Sequence, residues 1–566
     1  MNREPVDGER LPVSVTSPVV TGLSRPVAAT IGVLAAWLAL GVGHLAAGLF
    51  AAGSSPYLAV GDAVVRLSPQ ALTEFAKTTF GTWDKPVLLV GMFVVITLVA
   101  AAAGLASRWR REPGMVVIGA MGVLGGLAVI SGPVFTQADL LAPLAALVAG
   151  VAAFALLHGL GLRAAEGTDP SRRTVLLAGG AAVGLGALAS AGGGVLLTRS
   201  LGAARADVTA LLGRAKYVER ATPAPAGAAF PQLGTPTFLT ANSEFYRIDT
   251  ALRVPTLSAS DWRLRVHGMV GRELTLRFED LVSRPLVERT ITMTCVSNPI
   301  GGNLVSTANF AGVPLRDVLL EAGVAPGADQ LFSTSSDGWY TGTPMATVLE
   351  PDRGALLAIG MNGEALPYEH GFPVRMVVPG LYGYVSGTKW LVDLEATTFA
   401  DPAKQGYWLQ RGWSQRGPIK TMARIDSPAP FGNVTADTVT VAGIAWAQHT
   451  GVAKVEIRVD GGPWRATTLS DQVSLDTWRM WHTELALPPQ AARVRADAAI
   501  APMYASRWIL RTGWFLSLVI RSLRTSHSGF EIRPNMVHNY WVTVKRTAGQ
   551  PLAPSGIGSA RWSVCV

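Results

Sequence analysis

Two thiols stand in this sequence, Cys295 and Cys565. Two cysteines make neither a disulfide framework nor an all-cysteine metal cage. An isolated cysteine reads first as a small core residue. A thiolate is equally a soft ligand able to hold one metal. A second group of chemically able residues lies downstream, in His370-Gly371-Phe372-Pro373-Val374-Arg375 and Gly387-Thr388-Lys389-Trp390. Arg375 offers a bidentate fork and Lys389 a point charge, while Gly387 and Thr388 let backbone come close. Fixed cations and backbone N–H groups are the means by which a phosphate is gripped. Taken singly, Arg375 reads as a salt-bridged strand residue, His370 as a turn residue and Lys389 as a solvated strand end.

The elements that must position these residues are short and mixed. Trp262–Val270 alternates as WRLRVHGMV and Glu273–Phe278 as ELTLRF, the period of half-buried strands. A short helix is expected around Phe278–Ser283, a strand over Arg289–Cys295 ending at the cysteine, and an amphipathic helix over Val313–Ala322. Arg375–Val378 and Trp390–Leu394 read as further strands. Such a mixture implies an α+β domain.

The stretch Met293-Thr294-Cys295-Val296-Ser297-Asn298 and the run Val305-Ser306-Thr307-Ala308-Asn309-Phe310-Ala311-Gly312-Val313-Pro314-Leu315 resemble the cysteine segment of the sulfite oxidase family. So do Met361-Asn362-Gly363-Glu364-Ala365-Leu366-Pro367, the His370 to Arg375 run, Val378-Pro379-Gly380, and Gly383 with Gly387 to Trp390. The likeness extends from about Thr240 to Leu487, with its motifs in the family's order. It implies a molybdenum cofactor, a metal held by the dithiolene of a molybdopterin, with Cys295 as the protein's thiolate ligand to the metal and as a catalytic residue. It also implies that His370, Arg375, Gly387, Thr388 and Lys389 bind the cofactor, and that Asn242, Tyr246, Arg247 and Thr334 add pterin contacts. Trp339 or Tyr340 stands where the family uses a substrate-side tyrosine, and Tyr340 is taken as the second catalytic residue. His267 and His449 match no functional position and read as strand residues.

One departure bears on the substrate. Sulfite-oxidising members carry arginines just after the cysteine, making a cationic pocket for the anion. Here Asn298 is followed by Pro299-Ile300-Gly301-Gly302. The expected reaction is two-electron oxygen-atom transfer on a small sulfur-containing substrate. A sulfoxide reductase of the methionine sulfoxide type is the alternative. A non-catalytic cell-surface binding protein that lost the cofactor is the reading from a different class. The chain lacks the haem-binding domain of the animal enzymes, so a separate electron donor or acceptor, a cytochrome or a quinone-linked protein, is expected.

Composition places the first part of the chain in lipid. Of 566 residues, 15% are charged, against about 25% in soluble proteins. Five apolar runs, Pro26–Gly53, Pro86–Ser107, Gly114–Thr136, Leu140–Leu162 and Thr174–Thr198, reach the roughly 20 residues that a transmembrane helix needs. Ser68–Phe80 reads as a surface helix or a plain loop. Arg3, Arg10, Arg25, Arg108, Arg110, Arg111, Arg163, Arg172 and Arg173 flank one side of these runs, and only Arg66, Lys77 and Lys85 the other. Positive charge stays inside, so the N-terminus is expected in the cytoplasm and everything after Thr198 outside. Ser171-Arg172-Arg173-Thr174-Val175-Leu176-Leu177 resembles a twin-arginine export signal. His44 and His158 fall in opposite leaflets and cannot share a haem. The net charge of +9 follows from this topology and carries no nucleic-acid footprint.

The expected organisation is therefore a five-helix transmembrane anchor over 1–200, a linker over 201–236, and a molybdopterin domain over 237–404. A connecting segment over 405–424 is followed by an immunoglobulin-like, all-β dimerisation domain over 425–488. Asp460-Gly461-Gly462 within it is a hairpin signal. That segment is short for such a sandwich, which takes about 100 residues. The sequence after about Pro489, with a helical spacing over Trp508–Leu523, reads as a divergent or frame-shifted tail.

Overall fold

The computed structural model describes residues 22–165 apart from 52, 70, 71, 73, 74, 77, 78, 81, 82, 133 and 134. It also describes 172–486 apart from 253, 300, 430–437 and 460–462, and the strand backbone of 494–501, 505–510 and 514–521. Arg3, Arg10, the Asp460-Gly461-Gly462 hairpin and Cys565 lie outside the described residues. The chain divides into two compact units, 1–199 and 200–566.

The first unit is helical. Helices α1 (Arg25–Phe50), α3 (Asp84–Ala106), α4 (Glu112–Ile130), α5 (Leu141–Ala165) and α6 (Arg172–Arg214) follow in order, with the shorter α2 (Pro56–Leu67) between the first two. Among the described residues, five helices are long and apolar enough to cross a membrane by length and composition. Their contacts are made by small residues, as close packing without a hydrophobic driving force requires. A Cβ on Gly32 would stand 2.0 Å from the Ala100 carbonyl, and one on Gly104 2.0 Å from that of Ala28, so α1 and α3 meet backbone to backbone. Large aliphatic side chains such as Leu98, Val116, Leu124 and Leu156 face outward, more than 60% exposed. His158 donates from Nε2 to the Ser107 carbonyl at 2.6 Å. Helix α2 adds an element before the expected surface helix; Ser68 closes it, its hydroxyl on the Val64 carbonyl at 2.7 Å. Within the expected surface helix, residues 72, 75, 76, 79 and 80 are helical, Ser68 and Pro69 precede them, and 70, 71, 73, 74, 77 and 78 lie outside the described residues.

The second unit contains an α+β core with two sheets. One has the order β1 (Tyr217–Glu219), β4 (Leu286–Thr294), β5 (Val305–Pro314), β8 (Leu356–Met361), β10 (Arg375–Val377), with β9 (Glu364–Ala365) beside β8. The other runs β3 (Leu274–Arg277), β2 (Arg263–Gly268), β11 (Leu391–Thr397), β6 (Gln330–Ser335), β7 (Tyr340–Pro344). Strand β2 buries alternate residues, as a strand with one dry face must, whereas every residue of β8 is buried. Short helices α7 (Phe278–Val282), α8 (Leu315–Ala322) and α9 (Met345–Leu349) pack with these strands. The linker expected from residue 201 is corrected in its first part. Residues up to Arg214 continue α6, and Val208 and Leu212 are buried in the core of this domain.

Beyond it lie two further sheets. Strands β12 (Met422–Ser427), β13 (Thr438–Trp446), β17 (Arg479–Ala486) and β16 (Thr468–Leu469) form one. Strands β15 (Arg465–Ala466), β14 (Lys454–Val459), β20 (Trp514–Arg521), β19 (Ala505–Leu510) and β18 (Val494–Ala501) form the other. Ile425, Val441, Val455, Ile457 and Trp481 share one core between them. The helical spacing read over Trp508–Leu523 is corrected: Ala505–Leu510 and Trp514–Arg521 are paired strands. A 3.6-residue and a 2-residue period are hard to tell apart in so short an apolar run. His449 is likewise no strand residue. It stands in a turn with φ +61° and its ring on Asp476.

Candidate active site

Strand β4 delivers Cys295 one residue past its end, where the backbone leaves the buried sheet. The Cys295 N–H donates to the Leu304 carbonyl at 2.9 Å. The Asn298 side chain accepts from the Leu304 N–H at 2.9 Å, closing the loop. The thiol itself is half-buried and accepts from the Ser297 N–H at 3.4 Å. Burial pushes its pKa up, and the Ser297 donor offsets part of that. A positive metal would hold it as the thiolate.

A cluster of cations gathers on the neighbouring loops. Arg375, at the start of β10, is 5% exposed and donates from Nη1 to the His370 carbonyl at 3.2 Å. Burial pulls it down to about 10, so it stays charged at neutral pH. Its Nε is buried without a partner. Lys389 is 9% exposed and reaches Asp249 Oδ2 at 2.9 Å and the Glu369 carbonyl at 3.0 Å. Burial pushes it down to about 8 against the pull of Asp249. Arg247 holds the same carboxylate oxygen at 2.8 Å. The two cations keep Asp249 well below the usual carboxylate range, although burial works against them. Two cations thus share one ionised carboxylate, and Arg375 stands nearby with no carboxylate on it among the described residues.

His370 closes the group. Its Nε2 lies 3.0 Å from the Asn242 carbonyl, which only an N–H can satisfy. Burial first, then Arg375, push its pKa down to about 4, so the ring is neutral at pH 7. Gly371 makes the turn between His370 and Arg375 with φ +108°. Tyr246 lies close to both Cys295 and Arg375. Burial and the thiol raise its phenol, and Arg375 lowers it in part. Thr388 is fully buried, its hydroxyl 2.7 Å from that of Ser333. Gly387 caps α10 (Gly383–Ser386), its N–H on the Gly383 carbonyl.

Asn242, Tyr246, Arg247, His370, Arg375, Lys389 and Cys295 are therefore linked by hydrogen bonds or mutual charge. Thr334 and Tyr340 face each other across β6 and β7. Tyr340 stacks on Phe332 at 5.6 Å, and its hydroxyl reaches Gln410 at 3.4 Å. The phenols that feel the Cys295 thiol are instead those of Tyr246 and Tyr382, each raised by burial and by that neighbour. Sequence reasoning missed Tyr382 and Asp249. Tyr382 had a signal, since it follows Val378-Pro379-Gly380 directly. Asp249 had none beyond its place two residues after Arg247.

This arrangement fits an anionic, thiolate-bound cofactor. A surplus of buried positive charge needs an anion, and the unpartnered Arg375 Nε is one donor still to be satisfied. Fold and site together define a molybdopterin oxidoreductase domain. Residues 251–408 match the family model of the oxidoreductase molybdopterin binding domain. The chain is 30% identical over 338 residues to sulfite oxidase of Gallus gallus, covering 49% of this chain and 72% of that one. It is 28% identical over 348 residues to mitochondrial sulfite oxidase of Macaca fascicularis, covering 50% of this chain and 62% of that one. With the uncharacterized oxidoreductase YuiH of Bacillus subtilis strain 168 it shares 35% identity over 156 residues, 28% of this chain and 74% of that one. The chain belongs to the sulfite oxidase family of molybdenum–molybdopterin oxidoreductases. It spans less than two thirds of the macaque enzyme's length.

Proposed function

We propose that this chain is a membrane-anchored oxidoreductase that performs two-electron oxygen-atom transfer at sulfur in a small substrate outside the cytoplasm. The observation that carries the reading is a half-buried thiol, Cys295, coupled through Tyr246 to the buried cation Arg375, which is coupled in turn to the buried Lys389. A bound molybdenum–pterin group supplies the two-electron couple and gives or takes the oxygen. The chain's own residues do the rest. Cys295 ligates the metal. Arg375, Lys389 and Arg247 hold the phosphate, with Gly387 and Thr388 offering close backbone and Thr334 a further pterin contact. His370, neutral and fixed on the Asn242 carbonyl, would offer its other ring nitrogen to a bound pterin as an acceptor. Tyr246 and Tyr382 keep their phenolic protons near the thiol and can donate them to a substrate oxygen.

The test is molybdenum and pterin content in wild type and in Cys295→Ser, with a dye-linked assay using sulfite and methionine sulfoxide. Loaded wild type and an inactive variant support the reading. Negligible metal in both favours a cell-surface protein that lost the cofactor. One observation favours sulfoxide reduction over sulfite oxidation. The loop after Cys295 carries no cation, and the arginine that reaches it, Arg424, is engaged by the Gly302 carbonyl and Asp426. A dianion finds little there, whereas a neutral sulfoxide needs only a donor.

The five apolar helices serve as the anchor, with the positive-inside bias and the paired arginines Arg172 and Arg173 supporting an exported site domain. The last two sheets are proposed as an immunoglobulin-like domain through which two copies dimerise. A cytochrome or quinone-linked protein exchanges the electrons.

A further inference from the structure

The end of α6 is tied to the wall of the site by polar contacts that no sequence motif announces. Arg205 donates from Nε to the Leu366 carbonyl at 3.1 Å and from Nη2 to the Ala365 carbonyl at 3.0 Å. The same Nη2 lies 3.5 Å from Glu364 Oε2. One turn on, Thr209 Oγ1 accepts from the Ala365 N–H at 3.0 Å. The Tyr368 hydroxyl reaches the Leu201 carbonyl at 3.5 Å. The strand and turn from Glu364 to Tyr368, which lead straight into His370, are thus gripped at several points by a single helix.

The grip continues inward. Glu364 Oε1 accepts from Asn242 Nδ2 at 2.6 Å. Asn242 Oδ1 accepts from Asn362 Nδ2 at 2.9 Å. Asn362 stands with φ +52°, and its Nδ2 also donates to the Thr240 carbonyl at 2.9 Å. The Asn242 carbonyl then receives the His370 N–H. A polar path runs from Arg205 through an ion pair to Glu364, and from there through hydrogen bonds by way of Asn242 to His370. It fixes both sides of the histidine: the carbonyl that orients its ring and the turn that carries its backbone.

We propose that Arg205 is a positioning residue for the cofactor site, acting on His370 through Glu364 and Asn242. This rests on the reading of His370 as a cofactor-binding residue. Outer partners that orient a ligand cost about 10–100-fold in affinity when removed. In the full-length, cofactor-loaded protein in detergent, Arg205→Ala is expected to release pterin about 10-fold faster on dilution. Arg205→Lys, which keeps the charge but not the fork, should recover part of the loss. Leu212→Ala controls for mere helix docking. It empties part of the same helix's apolar seat, 3% exposed, without touching the polar path.

The variants are compared at equal shifts in melting temperature, with pterin release read by fluorescence and molybdenum by mass spectrometry. Faster release in Arg205→Ala than in an equally destabilised Leu212→Ala supports positioning. Release that follows melting temperature alone overturns it. His370→Ala separates this inference from the reading beneath it. If His370→Ala leaves release unchanged, the site assignment fails. If it speeds release while Arg205→Ala does not, only the positioning role fails.

Discussion

At the residue scale, the site is a balance between burial and charge. Lys389 is the member whose protonation changes near working pH. Burial sets it at about 8, below its ordinary 10.5, because the charged form is disfavoured in the interior. As pH rises through 8 the pocket therefore loses one cation. Phosphate affinity of cofactor-free protein should fall over that window, measured by calorimetry with inorganic phosphate. Lys389→Met should flatten the profile and bind weakly throughout. A profile unchanged by the substitution would remove Lys389 from the anion site. The two tyrosine candidates can be separated as well. Tyr382→Phe takes away a phenol whose ionisation is coupled to the Cys295 thiol and should lower kcat by about 100-fold if that proton is used. Tyr340→Phe, whose hydroxyl meets Gln410, should change kcat little. The reverse ranking would restore Tyr340 as the substrate-side residue.

At the element scale, the turn between β9 and β10 decides whether the cations and His370 share a site. Gly371 takes φ +108°, and a Cβ there would stand 3.0 Å from that of Arg375 and 3.1 Å from that of Lys389. An alanine suffers both the backbone conformation and the crowding. Gly371→Ala should cost about 2 kcal/mol in unfolding free energy and lower pterin content, measured by chemical denaturation and fluorescence. Full pterin content at a lower stability would show that the turn serves the fold alone. Period and punctuation made β2, β3 and α7 legible, since alternation and a Gly or Pro boundary are local properties. Strands β6 to β9 went unread. A strand such as β8, buried on both faces, has no alternation to display. The end of α6, rich in Ala with two Gly, carries no local signal that sets it apart from a linker. Only the apolar seat of Val208 and Leu212 in the core of the site domain makes it an ordered element.

At the scale of the whole molecule, the paired arginines that open α6 carry the topological prediction. Arg172→Lys with Arg173→Lys preserves the positive charge and removes the twin-arginine pattern. The site domain should then stay on the cytoplasmic side, read by protease accessibility in spheroplasts. Unchanged accessibility would mean that the pair acts only as a positive-inside flank. Alkaline carbonate should leave the chain in the membrane fraction in either case, given five helices of spanning length.

By itself the sequence determined the apolar runs, the ordered motifs and which residues are the candidates for thiol ligand and anion site. These are written in composition and short spacing, which do not depend on how the chain closes. Tertiary structure alone decided that Asp249 shares its carboxylate between Lys389 and Arg247, and that Tyr382 stands by Cys295. It alone tied Arg205 to the His370 wall across more than 150 residues of chain. Those contacts come from the sheets bringing distant loops together. Their energies arise from burial and from charge at a few ångströms, neither of which a linear spacing encodes.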